Sequence, residues 1–129
     1  MKAPKWLREK FTSARRLVGV GDDWQLFIQV SDDLARDGVF DGTCNANPIS
    51  LCATIRCAEN LKRNDADEIV IHEMLHVLHS EVDAFVEATL KDHNDSEMLL
   101  TMYSGCYERF MHRLSRSLTN NVKEILDRG

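Results

Sequence analysis

Residues 72–76 have the sequence His72-Glu73-Met74-Leu75-His76, which is the pattern H-E-x-x-H. On a helix this spacing places the two imidazoles one turn apart on the same face, with a carboxylate beside the first. Two such imidazoles can bind one zinc ion, and the carboxylate can act as a general base on the water that the zinc carries. We therefore predict that His72 and His76 are metal ligands, that Glu73 is the catalytic base, and that the chain binds one Zn²⁺.

The segment around the motif is predicted to form a long and largely buried helix. Asp65 to Lys91 contains no Pro or Gly, so nothing in it interrupts a helix. Asn64 or Asp65 can cap its start, and acidic residues follow in the first turn, namely Asp67 and Glu68. Apolar residues recur at three- and four-residue spacing and form a stripe of Ile71, Leu75, Leu78, Val82 and Phe85, widened by Val70, Met74 and Val77.

A catalytic zinc usually has three protein ligands and one open position, so a third ligand must be found. His79 extends the pattern, but on a straight helix it lies about 10 Å from His72 along the axis, at roughly 1.5 Å per residue. We therefore place His79 near the site and not among the ligands. The same geometry argues against the acidic residues farther along this helix, Glu81, Asp83 and Glu87. His93, in the loop after the helix, is a weaker candidate.

A ligand from the following helix solves this geometry, because an antiparallel neighbour can aim a side chain at the two histidines. Glu108 is the best candidate, since aromatic and apolar residues flank it and Gly105, one turn earlier, would allow close helix approach. His112 lies one turn beyond Glu108. It is the alternative ligand, or a hydrogen-bond donor that orients a ligand.

The residues before the motif predict a helix and a small sheet. A helix is predicted over Pro4–Val18, and Gly19 and Gly21 end it. Strands are predicted over Trp24–Val30 and Ile49–Cys57, with turn and loop signals between these elements. Residues 31–38 are polar and fit either a short helical turn or a loop, whereas residues 40–48 contain the turn signals Asp41-Gly42 and Asn45-Ala46-Asn47-Pro48. A polar connection over residues 60–64 then leads into the motif helix.

The residues after the motif predict a loop and a second long helix. Residues 91–95 form the loop, and Asp95 or Ser96 caps a helix that runs from about Glu97 to at least Leu118, and as far as Leu126 on the longer reading. The whole layout predicts an α+β domain with an N-terminal helix, a short sheet, the motif helix and a long C-terminal helix.

Composition limits the classes of function. With 129 residues, the chain is predicted to form a single domain over residues 1–129. A net charge of −5 gives no basic surface for nucleic acid, and no apolar run is long enough to span a membrane. The charged first ten residues do not resemble a signal peptide, and the four cysteines show no C-x-x-C spacing. We therefore expect a cytoplasmic protein with reduced thiols, whose oligomeric state the sequence does not predict.

The chain resembles the zincins of the gluzincin type, and more closely the compact metallopeptidases encoded by bacteriophages and prophages. The resemblance covers roughly residues 24–118. It is carried by H-E-x-x-H and by Tyr107-Glu108-Arg109, which basic residues follow over 113–118. It implies that His72, His76 and Glu108 bind zinc and that Glu73 is catalytic. The thermolysin-like pattern N-E-x-x-S-D and a large second domain are absent, so broad endopeptidase activity is not expected.

The implied function is zinc-dependent hydrolysis of a peptide bond in a peptide or protein substrate. Candidate donors to the developing oxyanion are Tyr103, Tyr107, His112 and Arg109. The strand around residues 52–57 precedes the motif helix and, as an edge strand, could align an extended peptide. The alternatives are a non-catalytic zinc-binding protein of structural or regulatory type, as in phages, and a helical interaction module without metal.

Overall fold

The computed structural model describes residues 2–37 and 42–127, without the side chains of residues 35–37 and 123–127. In chain order the elements are α1 (Lys5–Val18), β1 (Gln25–Ser31), α2 (Asp32–Asp37), β2 (Gly42–Asn47), β3 (Cys52–Ala58), a 3₁₀ turn (Arg63–Asp65), α3 (Ala66–Leu90) and α4 (Ser96–Asp127). The described part of the chain is thus a mixed α+β structure with long helices and a small sheet, which confirms the predicted class.

The first helix and strand agree with the sequence patterns. Pro4 occupies the N-cap position of α1, where its missing N–H costs nothing. Gly19 ends the helix with a φ of 83°, a left-handed conformation that favours glycine. Of the two predictions for residues 31–38, the helical one is confirmed over Asp32–Asp37, while Gly38 lies outside the described residues.

The sheet has three strands in the order β1-β3-β2. β1 is parallel to β3, and β2 is antiparallel to it, with Gly42 opposite Cys57 and Asn47 opposite Cys52. β3 is therefore the central strand. The expectation that it is a free edge was wrong, and β2 is the edge strand next to α3.

β2 itself corrects a second prediction, because residues 42–47 form a strand where turn signals predicted a turn. Pairing with β3 along its whole length outweighs the weak strand propensity of Asn and Ala. The turn follows at residues 48–51, where the Asn47 side chain accepts a hydrogen bond from the Ile49 N–H at 3.0 Å and Leu51 has a φ of 55°. β3 consequently begins three residues later than predicted. Phe40 and Asp41 lie outside the described residues.

The two long helices form an antiparallel pair. α3 lies within its predicted bounds, and Asp65 is its N-cap residue, although its side chain makes no capping hydrogen bond. α4 extends to Asp127, one residue beyond the longer predicted end at Leu126, with one departure from helical geometry at Val122. Asp83 of α3 contacts Tyr103 of α4, and His76 contacts Tyr107, so the two helices run in opposite directions.

A buried ion pair fixes α1 to the start of α3. Lys10 Nζ donates to Asp67 Oδ1 at 2.5 Å, and both side chains are almost fully enclosed. Asp67 lies in the first turn of α3, as predicted, and its ion pair with Lys10 is a contact that the sequence pattern did not indicate. Removing one partner of such a pair would leave an uncompensated charge in the interior.

The apolar stripe of α3 is buried only in its first half. Val70, Ile71, Met74, Leu75 and Val77 are enclosed, with exposed fractions of 0–5%. Farther along, the exposed fractions are 49% for Leu78, 48% for Val82 and 70% for Phe85. The prediction of a largely buried helix therefore holds for the half that carries the motif and fails for the other. Within the described residues, no helix is both long and apolar enough to cross a membrane.

Candidate metal centre

The motif histidines and Glu108 converge on one point. The Nε2 atoms of His72 and His76 lie 3.0 Å apart. Glu108 reaches them from α4, with Oε1 at 3.2 Å from His76 Nε2 and Oε2 at 3.6 Å from His72 Nε2. Ligand atoms around a tetrahedral ion with bonds of 2.0–2.1 Å are separated by about 3.3–3.4 Å. The three predicted ligands therefore have separations close to those that one ion requires.

The close approach of α4 does not depend on Gly105. A methyl group added to Gly105 would meet only the Arg109 guanidinium, at 3.6 Å, among the described atoms within 4 Å. No atom of α3 is that close, so the predicted role of Gly105 was wrong. Glu108 reaches the histidines because the antiparallel pairing of the helices places it opposite the exposed side of the motif.

His112 lies at the outer edge of the same site. Its ring lies against that of His72, with 4.6 Å between centroids, and its Nε2 is 3.9 Å from Glu108 Oε2. Ligand atoms of His72, Glu108 and His112 all lie within 4.8 Å of one another. However, the His112 side chain is 61% exposed, against 12% for His72 and 20% for His76. It is thus an exposed fourth donor, and both of its predicted roles stay open.

Tyr107 contacts the far side of the His76 ring. Its hydroxyl oxygen lies 2.9 Å from His76 Nδ1. With Nδ1 engaged in this way, Nε2 is the nitrogen that faces Glu108. Such a second hydrogen bond commonly fixes the orientation and tautomer of a histidine ligand. Tyr107 therefore positions a candidate ligand, and its hydroxyl is engaged with that ligand.

A polar network supports Tyr107. The ring of His79 stacks on that of Tyr107, with 4.5 Å between centroids. His79 Nδ1 lies 3.2 Å from Asp83 Oδ1, and the Tyr103 hydroxyl donates to the same oxygen at 2.6 Å. Both predicted tyrosine donors are thus bonded to other groups in this structure. His79 lies near the site, as predicted.

Arg109, the fourth predicted oxyanion donor, lies away from the site. Its guanidinium contacts Cys106 Sγ at 3.3 Å on the exposed side of α4. Of the four predicted donors, only His112 lines the cavity at the motif.

Glu73 is buried beside the ligands, with an exposed fraction of 4%. Its Oε2 has no hydrogen-bond partner among the described residues. Gly42 of β2 makes room for it, since a Cβ at that position would lie 3.2 Å from Glu73 Oε1 and 3.1 Å from Ile69 Cγ2. The sequence pattern had placed Gly42 in a turn and missed this contact, because the pairing of β2 with the sheet brings the two residues together.

Burial controls the charges at the site. It raises the pKa of Glu73 to about 8, and the negative charge of Glu108 adds to the effect. It lowers the pKa of His72 to about 4, with the neighbouring imidazoles of His76 and His112 contributing. The pKa of His76 is lowered by burial as well, although Glu108 opposes that change. Both motif histidines are therefore neutral near pH 7, which is the form that binds metals.

Cys44 of β2 also faces the site and was not singled out from the sequence. Burial raises the pKa of its thiol to about 12, and the carboxylates of Glu73 and Asp83 add to the effect. In the metal-free protein Cys44 is thus a neutral part of the wall.

Two cavities meet at His76 and Cys44. One of about 530 Å³ contains all three predicted ligands, Glu73 and His112. The other, of about 380 Å³, extends along β2 past Asn45 and Asn47. Both are lined by Cys44 and His76, so they are adjoining parts of one groove. The candidate centre therefore opens to a space that can hold a ligand larger than an ion.

Comparisons with known proteins do not add to this geometry. No protein-family model matches the chain, and neither a curated protein nor a solved structure matches it. The functional conclusion therefore rests on the arrangement of His72, His76, Glu108 and Glu73.

Proposed function

We propose that this protein is a zinc-dependent peptidase of the zincin type, with one zinc ion held by His72, His76 and Glu108. Two neutral imidazoles and one carboxylate form a donor set that suits zinc. The separations of 3.0–3.6 Å between their ligand atoms support a single shared ion. Glu73 Oε2 is buried without a hydrogen-bond partner among the described residues, as expected where a bound group completes a site.

The observation that carries the proposal is the buried Glu73. A purely structural metal site has no need for an unpartnered carboxylate beside its ligands, whereas a hydrolytic site requires a base there. When bound, zinc supplies a Lewis acid for the substrate carbonyl and lowers the pKa of a coordinated water. A nearby cation favours the ionised carboxylate, so Glu73 is expected to lose its proton on metal loading. It can then accept a proton from the attacking water and deliver it to the leaving amine.

His112 is the side chain best placed to donate a hydrogen bond to the substrate oxyanion. The hydroxyls of Tyr103 and Tyr107 are engaged with Asp83 and His76, whereas His112 is exposed at the rim of the cavity. A positioned donor of this kind stabilises developing negative charge. The edge of β2 that no described strand occupies lies beside the same cavity and would align the substrate backbone by strand pairing.

The order of elements supports the resemblance to compact phage-type metallopeptidases. The motif helix follows a short sheet, and the Tyr107-Glu108 pair lies on the next helix with both side chains at the motif. On this proposal the chain is a single peptidase domain that acts on a peptide or protein substrate.

Two substitutions test the proposal together. Glu73→Gln should abolish hydrolysis of a peptide library while the protein still binds one zinc per chain. Glu108→Ala should weaken zinc binding, measured by competition with a chelator. Glu97→Gln, in the first turn of α4 and away from the cavity, is the matched control for a lost carboxylate. Full zinc affinity in Glu108→Ala would refute the ligand assignment, and peptide hydrolysis by Glu73→Gln would refute the role of the base.

A non-catalytic zinc site is the second candidate, because His112 could complete a closed set of four ligands. The two candidates differ in what His112→Ala does. In a closed site the substitution weakens zinc binding about as much as Glu108→Ala does. In an open catalytic site it leaves zinc affinity nearly unchanged and slows hydrolysis.

A further inference from the structure

The groove at the candidate centre runs along one face of α3 and one edge of the sheet. Five residues share this helical face, because they follow one another at spacings of seven, four, seven and four residues. They are Asp65, directly before α3, and His72, His76, Asp83 and Glu87 within it. These residues line the two adjoining cavities. At about 1.5 Å per residue, the face is roughly 33 Å long.

β2 forms the other side of this groove with an edge that no described strand occupies. It pairs with β3 alone, and its residues 42–44 and 44–47 line the first and the second cavity. Six residues of strand at about 3.3 Å each give roughly 20 Å of unpaired backbone. An extended peptide can add to such an edge, and the geometry would carry it past both histidines.

The groove is strongly acidic on both sides of the histidines. Carboxylates lining its two parts are those of Asp65, Glu68, Glu73, Asp83, Glu87 and Glu108. Among the described residues that line these parts there is no Lys or Arg. Glu68 is paired with Arg116 at 3.7 Å, and Asp83 accepts a hydrogen bond from Tyr103. Lys91 lines a neighbouring cavity together with Asp83 and Glu87. Six carboxylates against one zinc ion, Arg116 and Lys91 leave an excess of negative charge.

The Glu73 carboxylate, on which the proposed function also rests, is a second observation beside the acidic lining that a ligand enters this groove. Glu73 lines the first cavity and has an exposed fraction of only 4%. Its Oε2 has no hydrogen-bond partner among the described residues. Such an atom is stabilised by a hydrogen-bond donor that the protein does not itself provide.

We infer that the substrate is an extended peptide segment with Lys or Arg side chains on both sides of the bond to be cleaved. This inference rests on the proposed function and adds the class of substrate to it. Strand pairing with β2 would fix the backbone of the substrate. The carboxylates at the two ends of the groove would select cationic side chains. They are those of Asp65, before the metal ligands, and Glu87, beyond them. Charge complementarity of this kind contributes more to selectivity than to total affinity.

Peptide binding tests the inference separately from hydrolysis. Zinc-loaded Glu73→Gln protein is titrated into fluorescent peptides of about eight residues in which Ala alternates with Lys, Gln or Glu, and anisotropy is measured. The Lys peptide should bind at least about tenfold more tightly than the Gln peptide, and the Glu peptide should bind most weakly. Equal affinities for the Lys and Gln peptides would overturn the inference.

Substitutions locate the effect within the groove. Asp65→Asn and Glu87→Gln should each weaken binding of the Lys peptide roughly two- to fivefold, as expected for exposed ion pairs. Glu81→Gln, which removes an exposed carboxylate of α3 outside the groove, should not change it. A loss in Glu81→Gln equal to that in Glu87→Gln would show attraction by net charge alone and overturn the inference. So would undiminished binding of a Lys peptide with every backbone nitrogen methylated, since such a peptide has no N–H group with which to pair with β2.

Cleavage by the wild-type protein separates this inference from the proposed function. Selective binding of the Lys peptide without cleavage would refute the peptidase and leave the cationic selectivity in place. Cleavage of all three peptides at equal rates would support the peptidase and overturn the selectivity.

Discussion

The two halves of α3 have the same apolar periodicity but different surroundings. In the first half the stripe is enclosed, with Met74 fully buried. In the second half the stripe continues through Val82 and Phe85, yet those side chains are 48% and 70% exposed. Periodicity thus predicts which face of a helix is apolar, but it does not predict whether another element covers that face.

The difference has a cause in the lengths of the neighbouring elements. α1 is held at the start of α3 by the Lys10–Asp67 pair, and β2, only six residues long, flanks the motif. A strand of that length covers roughly 20 Å at about 3.3 Å per residue, whereas α3 is nearly twice as long. The candidate metal ligands His72 and His76 lie in the covered part.

The second half of α3 contributes to the site in another way. Its polar face carries His79 and Asp83, which contact Tyr107 and Tyr103 of α4. Tyr107 in turn contacts His76. We therefore expect the first half to provide ligands and stability, and the second half to tune one ligand through Tyr107.

The largest expected difference between the halves is in zinc affinity. His76→Ala should weaken zinc binding by at least about a thousandfold, since it removes one of three ligands from a total binding free energy near 12 kcal/mol. His79→Ala should weaken it by no more than about tenfold, because His79 acts only through its contact with Tyr107. Competition with a chelator measures both. Equal losses in the two variants would remove the distinction between the halves.

Stability to urea should differ between the halves as well. Met74→Ala should lower the free energy of unfolding by about 2–5 kcal/mol, because it removes buried apolar atoms and leaves a cavity. Phe85→Ala should lower it by less than about 1 kcal/mol, because most of that side chain is already in water. Similar losses would mean that another surface covers Phe85 in solution.

The burial of the Glu73 carboxylate predicts that the stability of the metal-free protein depends on pH. The pKa of Glu73 rises from its ordinary 4.5 to about 8 on folding, so the protonated form is favoured in the native state. Wild-type stability should fall as the pH rises from 4.5 toward 8, whereas Glu73→Gln lacks this contribution.

The variant should match the wild type below pH 4.5 and exceed it above pH 8 by about 4–5 kcal/mol, since folding raises the proton affinity of Glu73 more than a thousandfold and each tenfold corresponds to about 1.4 kcal/mol. Urea unfolding of chelator-treated protein at pH 5 and pH 8 measures the difference. A gap that does not grow with pH would contradict the burial of a carboxylate at this position.

The smallest expected effect concerns the contact between the two helices at the site. Tyr107→Phe should weaken zinc binding roughly tenfold, by removing the hydroxyl that orients His76. Tyr103→Phe removes a hydroxyl that contacts Asp83 and not a ligand, so its effect should be smaller. The comparison uses the same chelator assay, and an unchanged affinity in Tyr107→Phe would show that packing alone orients His76.

Much of the fold followed from local sequence signals. Pro4 and Gly19 bound α1, and the uninterrupted segment after Asp65 predicted α3 to within one residue at each end. β2 was missed because its residues have turn-forming propensities and become a strand only by pairing with β3. Pairing between distant segments is the information that local patterns lack.

At the candidate site, the sequence alone determined that His72, Glu73 and His76 share a region of one helix, because helical spacing fixes the relation between near neighbours. It also indicated Glu108, because a side chain of the following antiparallel helix can approach the two histidines. Only the tertiary structure decided that Glu108 lies 3.2 Å from His76, that Tyr107 takes the other nitrogen of that ring, and that Gly42 makes room for Glu73. These contacts join residues from different elements, and their distances depend on how whole helices and strands pack.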